Sequence, residues 1–150
     1  MAPLIVLLGS WLLVRLIGFA ASWHDADSWS GALRLAFALM FLFTAASHFH
    51  PRTRSDVIRM VPDRLPAPAL LVTVTGIFEL LGAVGLIVPW AAPAASYGLM
   101  LLLVAMFPAN VHAARAGLTV AGRRASPLVW RLPLQIVWIA ALWWVAWTSS

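Results

Sequence analysis

The sequence has no cysteine and no lysine, and charged residues fill only 10% of its 150 positions. Without cysteine the chain forms no disulfide, exchanges no thiol and holds no cysteine-ligated iron–sulfur cluster. Its redox compartment is therefore not written in its thiols. The scarcity of charge, set against 63% hydrophobic residues, excludes an ordinary water-soluble domain, because too little polar surface remains to solvate one. Also missing are a phosphate-binding glycine loop ending in Lys-Ser/Thr, a His-Glu-x-x-His zinc helix and a hydrolase serine elbow.

What the chain does have is long apolar runs. A spanning helix needs roughly 20 mostly apolar residues, and five segments meet or approach that length: 3–22, 31–50, 67–88, 91–112 and 127–147. The fold expected is an all-α transmembrane bundle forming a single integral membrane domain over residues 1–150. Only the turn from Pro89 to Pro93 separates the third and fourth spans, so these form a helical hairpin. Ala20, Ala21 and Ser22 are small enough for a signal-peptide cleavage site, but there is no basic n-region and Arg15 interrupts the apolar stretch. The first segment is therefore read as a retained helix.

The net charge of +5 comes from ten arginines against five acids, and the arginines lie between the apolar runs. That placement fits anionic lipid headgroups and not nucleic acid. One cluster (Arg52, Arg54, Arg59, Arg64) follows the second span and another (Arg115, Arg123, Arg124, Arg131) follows the fourth. The positive-inside rule makes both connections cytoplasmic, with the N-terminus inside and the C-terminus outside. Trp23, Trp29, Trp90, Trp143, Trp144 and Trp147 then fall at the outer interface, where indole rings prefer to sit. Between the second and third spans, Ser55 can cap a short interfacial helix with Val57, Ile58, Met60 and Val61 on one face, arginines on the other, and Pro62 at its end. Residues 122–124 read as plain loop.

An ionisable group inside a span costs about 2.5 to 3.5 kcal/mol on insertion scales, so each needs a partner or a purpose. Arg15 and Glu79 each lie about 12 residues into their helices, roughly 18 Å from the inner end. The structural reading is an Arg15–Glu79 ion pair locking two helices together; the functional one makes Glu79 a proton carrier or ligand-binding acid. A second polar group gathers at the inner helix ends: His48 and His50, then Asn110 and His112, then Arg131 and Gln135. Pro108 cannot donate to the carbonyl of Val104, which frees that oxygen. The spacing of His48, His50 and His112 is not a metal-ligand signature, so no metal is expected.

Taken in order, several segments resemble the DoxX-like membrane proteins. They are Phe41-Leu-Phe-Thr-Ala-Ala-Ser-His48-Phe49, Met60-Val-Pro-Asp-Arg-Leu-Pro66, Gly76-Ile-Phe-Glu79-Leu-Leu-Gly82-Ala-Val-Gly-Leu86, Phe107-Pro-Ala-Asn-Val-His112 and Arg131-Leu-Pro-Leu-Gln135. The matching positions are His48, Pro51, Pro62, Glu79, Pro108, Asn110, Arg131 and Gln135, within a stretch of roughly 35–145. The resemblance implies a small bacterial inner-membrane protein with a four-helix core, here preceded by an extra N-terminal helix. It also implies an association with membrane-linked sulfur and quinone redox systems. The expected role is binding of a small hydrophobic, quinone-like or lipid molecule, or of a redox or membrane protein partner. The expected site is a cavity lined by His48, Glu79, Asn110, His112, Arg131 and Gln135. One alternative is a membrane acid–base enzyme, an isomerase or cyclase of a lipid or terpenoid, using Glu79 and His48 as catalytic groups. Another is a structural subunit of a membrane complex.

Overall fold

The computed structural model describes residues 2–120 and 122–149. Five of its helices are long and apolar enough to cross a membrane: α1 (Ala2–Ala21), α3 (Trp29–Phe49), α5 (Pro68–Ile87), α6 (Ala92–Arg115) and α7 (Leu128–Thr148). Two shorter ones join them, α2 (His24–Asp27) and α4 (Pro51–Met60). Each long helix lies within three residues of its expected bounds.

Local chemistry sets the ends. α1 stops where Ser22 takes a left-handed backbone (φ 52°), and the Trp23 N–H reaches back to the Gly18 carbonyl at 2.9 Å, a six-to-one bond that closes a helix terminus. The chain then folds sharply onto α1, and a Cβ on Gly18 would lie 2.4 Å from the Ala26 backbone. α3 opens with the Ser28 side chain accepting from the Gly31 N–H at 2.9 Å, which satisfies one orphan donor. α5 starts on Pro68 and α6 carries Pro93 in its first turn, where a missing N–H costs nothing.

Packing follows chain order. α1 lies on α3, α3 on α5, α5 on α6 and α6 on α7, and α7 returns to α3. The result is a four-helix ring of α3, α5, α6 and α7 with α1 laid against the outside of α3. The ring's core is Phe37, Met40 and Phe41 from α3, Ala83 and Leu86 from α5, Leu99 and Leu103 from α6, and Leu142 and Val145 from α7. Large apolar side chains such as Phe19, Leu81, Leu101 and Ile136 point outward instead. That inverted distribution suits lipid as solvent. The tryptophans Trp23, Trp29, Trp90, Trp143, Trp144 and Trp147 are all exposed and share one end of the ring.

Two local expectations are corrected. α4 begins at Pro51, not at Ser55: His50 is the N-cap, its ring accepting from the Arg52 N–H at 3.3 Å, because Pro51 has its φ already set for a first helical residue. Residues 122–124 are not plain loop. Thr119–Val120 (β1) and Arg123–Arg124 (β2) pair antiparallel, and Gly122 supplies the positive φ of 74° that the reversal needs.

Candidate functional site

Along α5 the buried residues are Val72, Gly76, Glu79, Ala83 and Leu86, a single stripe at helical spacing facing α3. Glu79 stands in that stripe about 16 Å from the start of α5, close to mid-helix, and is only 3% exposed. Opposite it, near the end of α3, is His48, also buried. His48 Nδ1 lies 2.8 Å from the carbonyl oxygen of Val72. A carbonyl only accepts, so Nδ1 carries a hydrogen. Nε2 is thereby left facing Glu79 Oε2 at 3.7 Å, with the Thr44 hydroxyl beside the carboxyl.

Gly76 makes this approach possible. A Cβ there would sit 2.7 Å from His48 Cβ and 2.9 Å from the ring of Phe49. Arg54, from α4, fixes the end of α3 by donating to the His48 carbonyl at 2.7 Å, and reaches α5 through Thr73 Oγ1 at 2.8 Å and the Ala69 carbonyl at 3.2 Å. It therefore faces inward, whereas the sequence placed it on the arginine face of the short interfacial helix, away from the apolar residues.

The expected Arg15–Glu79 pair is not formed. α1 packs on α3, which separates it from α5, and matched depth along two helices does not make them neighbours. Arg15 instead donates to Asp27 at 3.3 Å and lies 5.0 Å from the centre of the Trp29 ring. Arg15 and Asp27 are 26% and 44% exposed, so their coupling is expected to stay below about 1 kcal/mol in a double-mutant cycle. In the same measurement Arg15→Met and Glu79→Gln should add without coupling; a coupling above about 1 kcal/mol would place the two charges in contact after all.

The remaining candidates form a separate group between α6 and α7. Arg131 donates to Asn110 Oδ1 and, through Nε, to the Ser126 carbonyl at 3.1 Å. Gln135, buried, donates to the Leu103 carbonyl at 2.9 Å, one residue before the oxygen that Pro108 vacates. The His112 carbonyl accepts from the Ala116 N–H at 2.9 Å, while its side chain makes no hydrogen bond or ion pair among the described residues, and no group of three metal-ligating side chains occurs there. Among the described residues no hydrogen bond or ion pair joins this group to His48 and Glu79, so the single polar cavity expected from sequence divides into two contacts between helices. A groove of about 500 Å³ lies between α5 and α6 and is lined by apolar residues such as Phe78, Leu81, Leu101 and Ala105. It contains none of these polar side chains.

One residue belongs on the list that the sequence reading left off. Arg34 lies within the second apolar span, 3% exposed, and donates to the Leu86 carbonyl at 3.0 Å, where a cation meets the negative end of α5. It carries the same signal as Arg15, an arginine inside an apolar run.

Glu79 Oε2 has a different standing from its neighbours. With Ser96 Oγ and Trp138 Nε1, it is a buried side-chain atom lacking a hydrogen-bond partner among the described residues. A family model described as "Domain of unknown function (DUF8561)" matches residues 37–146, which takes in most of the four-helix ring and leaves α1 outside. No curated protein and no solved structure matches the chain.

Proposed function

The chain belongs to the family described as domain of unknown function DUF8561, and from that starting point we propose that it is a DoxX-like inner-membrane protein holding the polar end of a small hydrophobic, quinone-like molecule at His48 and Glu79. The observation that carries this reading is Glu79 Oε2, a buried carboxyl oxygen with no hydrogen-bond partner among the described residues. Leaving such an atom unsatisfied costs about 1 to 3 kcal/mol, which a ligand atom seated beside it would recover. At 3.7 Å, His48 Nε2 is too far to fill that place itself.

The pair suits a carbonyl or hydroxyl guest. With Nδ1–H committed to Val72, one proton serves both Nε2 and the carboxyl, so the pair offers a donor and an acceptor side by side. A carbonyl takes the donor, and a hydroxyl uses both. Glu79 sits mid-helix, so the rest of the guest must be apolar. Phe49, whose ring lies against Gly76 one turn from Glu79 and which is 41% exposed, gives the site an apolar neighbour open to lipid.

Native mass spectrometry of protein purified in mild detergent tests the reading. The wild-type chain is expected to retain a quinone-like or other neutral lipid, and Glu79→Gln to reduce retention at least tenfold. An empty wild-type protein, or retention undiminished from wild type in Glu79→Gln and His48→Gln, sinks it.

A second reading rests on the same shared proton: an acid–base enzyme that isomerises or cyclises a bound lipid. Its signature is deuterium from solvent appearing in a prenyl lipid, abolished by Glu79→Gln. Binding without exchange leaves the first reading alone.

The arginine clusters and the exposed tryptophans at opposite ends of the ring support an N-terminus inside and a C-terminus outside. Reporter tags fused to the two ends are expected to fall on opposite sides; tags on the same side contradict a five-span topology.

A further inference from the structure

The arginine-rich end of the bundle divides into arginines with side-chain partners and arginines without an ion pair among the described residues. Arg54 clamps α3 to α5, Arg131 binds Asn110 and Ser126, and Arg59 is paired with Asp56. Arg52, Arg64, Arg115, Arg123 and Arg124 are exposed and make no ion pair among the described residues. Acids are few at this end. Asp56 is engaged, Asp63 is the other, and the chain has no Asp or Glu after Glu79.

The fold brings these free cations together. β1 packs beside α4 and is paired with β2, so the hairpin brings Arg123 and Arg124 next to α4, the helix that carries Arg52. The apolar residues Val57, Ile58, Met60 and Val61 are half-buried, while Arg52 stays outside. Arg64 follows α4, and Arg115 closes α6 at the same end. All five stand where long apolar helices end, and the ends of spanning helices meet the phosphate headgroups of a bilayer. Guanidinium groups match phosphate with two parallel N–H bonds each, which an ammonium does not.

We infer that this end is a binding face for anionic phospholipid headgroups, with α4 and the β1–β2 hairpin lying in the headgroup layer and Arg52, Arg123 and Arg124 at its centre. It is separate from the His48–Glu79 site, and its occupant is a resident lipid of the bilayer.

Delipidated protein in neutral detergent, titrated separately with phosphatidylglycerol and phosphatidylcholine and read by native mass spectrometry, tests this. Phosphatidylglycerol is expected to bind in preference, with the preference shrinking as salt rises. The combined Arg52→Gln, Arg123→Gln and Arg124→Gln variant should weaken phosphatidylglycerol about a hundredfold, at about fivefold per arginine. Arg59→Gln, already neutralised by Asp56, should change it less than twofold. Equal binding of the two lipids overturns the inference, as does a triple variant that binds like wild type. Displacement of the lipid by millimolar inorganic phosphate, or by a short RNA, would assign the face to a soluble anion or to nucleic acid and overturn it equally.

Discussion

His48→Ala is expected to be the most damaging single substitution at the pair, lowering stability in detergent by about 3 kcal/mol, the lower end of the range for breaking a buried pair by removing one partner. The lower end applies because the groups stand 3.7 Å apart and not in direct hydrogen-bond contact. Two losses add up: Glu79 keeps its place in an apolar stripe with only the Thr44 hydroxyl left beside it, and the Val72 carbonyl loses its 2.8 Å contact. Glu79→Gln should cost far less, about 1 kcal/mol, since an amide keeps the shape and cannot be stranded as a charge. Replacing both residues together, as His48→Leu with Glu79→Met, should recover most of the loss, because apolar groups of similar volume often substitute for a buried pair without penalty. Reversible unfolding in mixed micelles measures all three. A double variant as unstable as His48→Ala alone would show that the histidine is needed for packing and not for the carboxyl.

The second large effect is expected at Gly76. Gly76→Ala puts a methyl 2.7 Å from His48 Cβ and 2.9 Å from the Phe49 ring. The ring can rotate away, but a Cβ moves only with its backbone, so α3 and α5 must separate locally. Overpacking of this kind costs about 1 to 3 kcal/mol, and the separation pulls His48 from Val72 and from Glu79. Stability and lipid retention should therefore fall together. Gly18→Ala is the matched comparison: its methyl would meet backbone atoms of Ala26 and Asp27 at 2.4 to 2.7 Å, a collision at least as severe, but at the α1–α2 corner outside the four-helix ring. It should destabilise the protein without emptying the site. If both variants lose the lipid equally, general loosening explains the loss and Gly76 has no special part.

The helices were legible in the sequence because apolar length is a one-dimensional signal. The intramembrane polar residues were legible for the same reason: a lone Glu79 or Arg15 in an apolar run stands out without any knowledge of neighbours. Which of them meet is a different kind of information. Arg15 and Glu79 matched in depth, yet depth says nothing about which helices touch, and α3 comes between α1 and α5. The His48–Glu79 contact depends on Gly76, whose value lies in a side chain it does not have. The division of the polar rim arises likewise, since Gln135 and Arg131 find partners on α6 while His48 turns to α5. The sequence puts Arg54 with its neighbours on the arginine face of a short interfacial helix; only the packed α3 and α5 ends reveal the carbonyls and hydroxyl it bonds.

The packing sequence of the ring also bears on how the protein is made. Every major helix contact joins one long helix to the next along the chain, except the return of α7 to α3. Such local wiring lets each helix dock as it emerges from the ribosome, with little loop closure to overcome. α1 and α3 can settle first, and α5 then enters already facing His48. The carboxyl of Glu79 thus meets its histidine while α6 and α7 are still unmade, so it need not wait unaccompanied in hydrocarbon for the rest of the bundle to arrive.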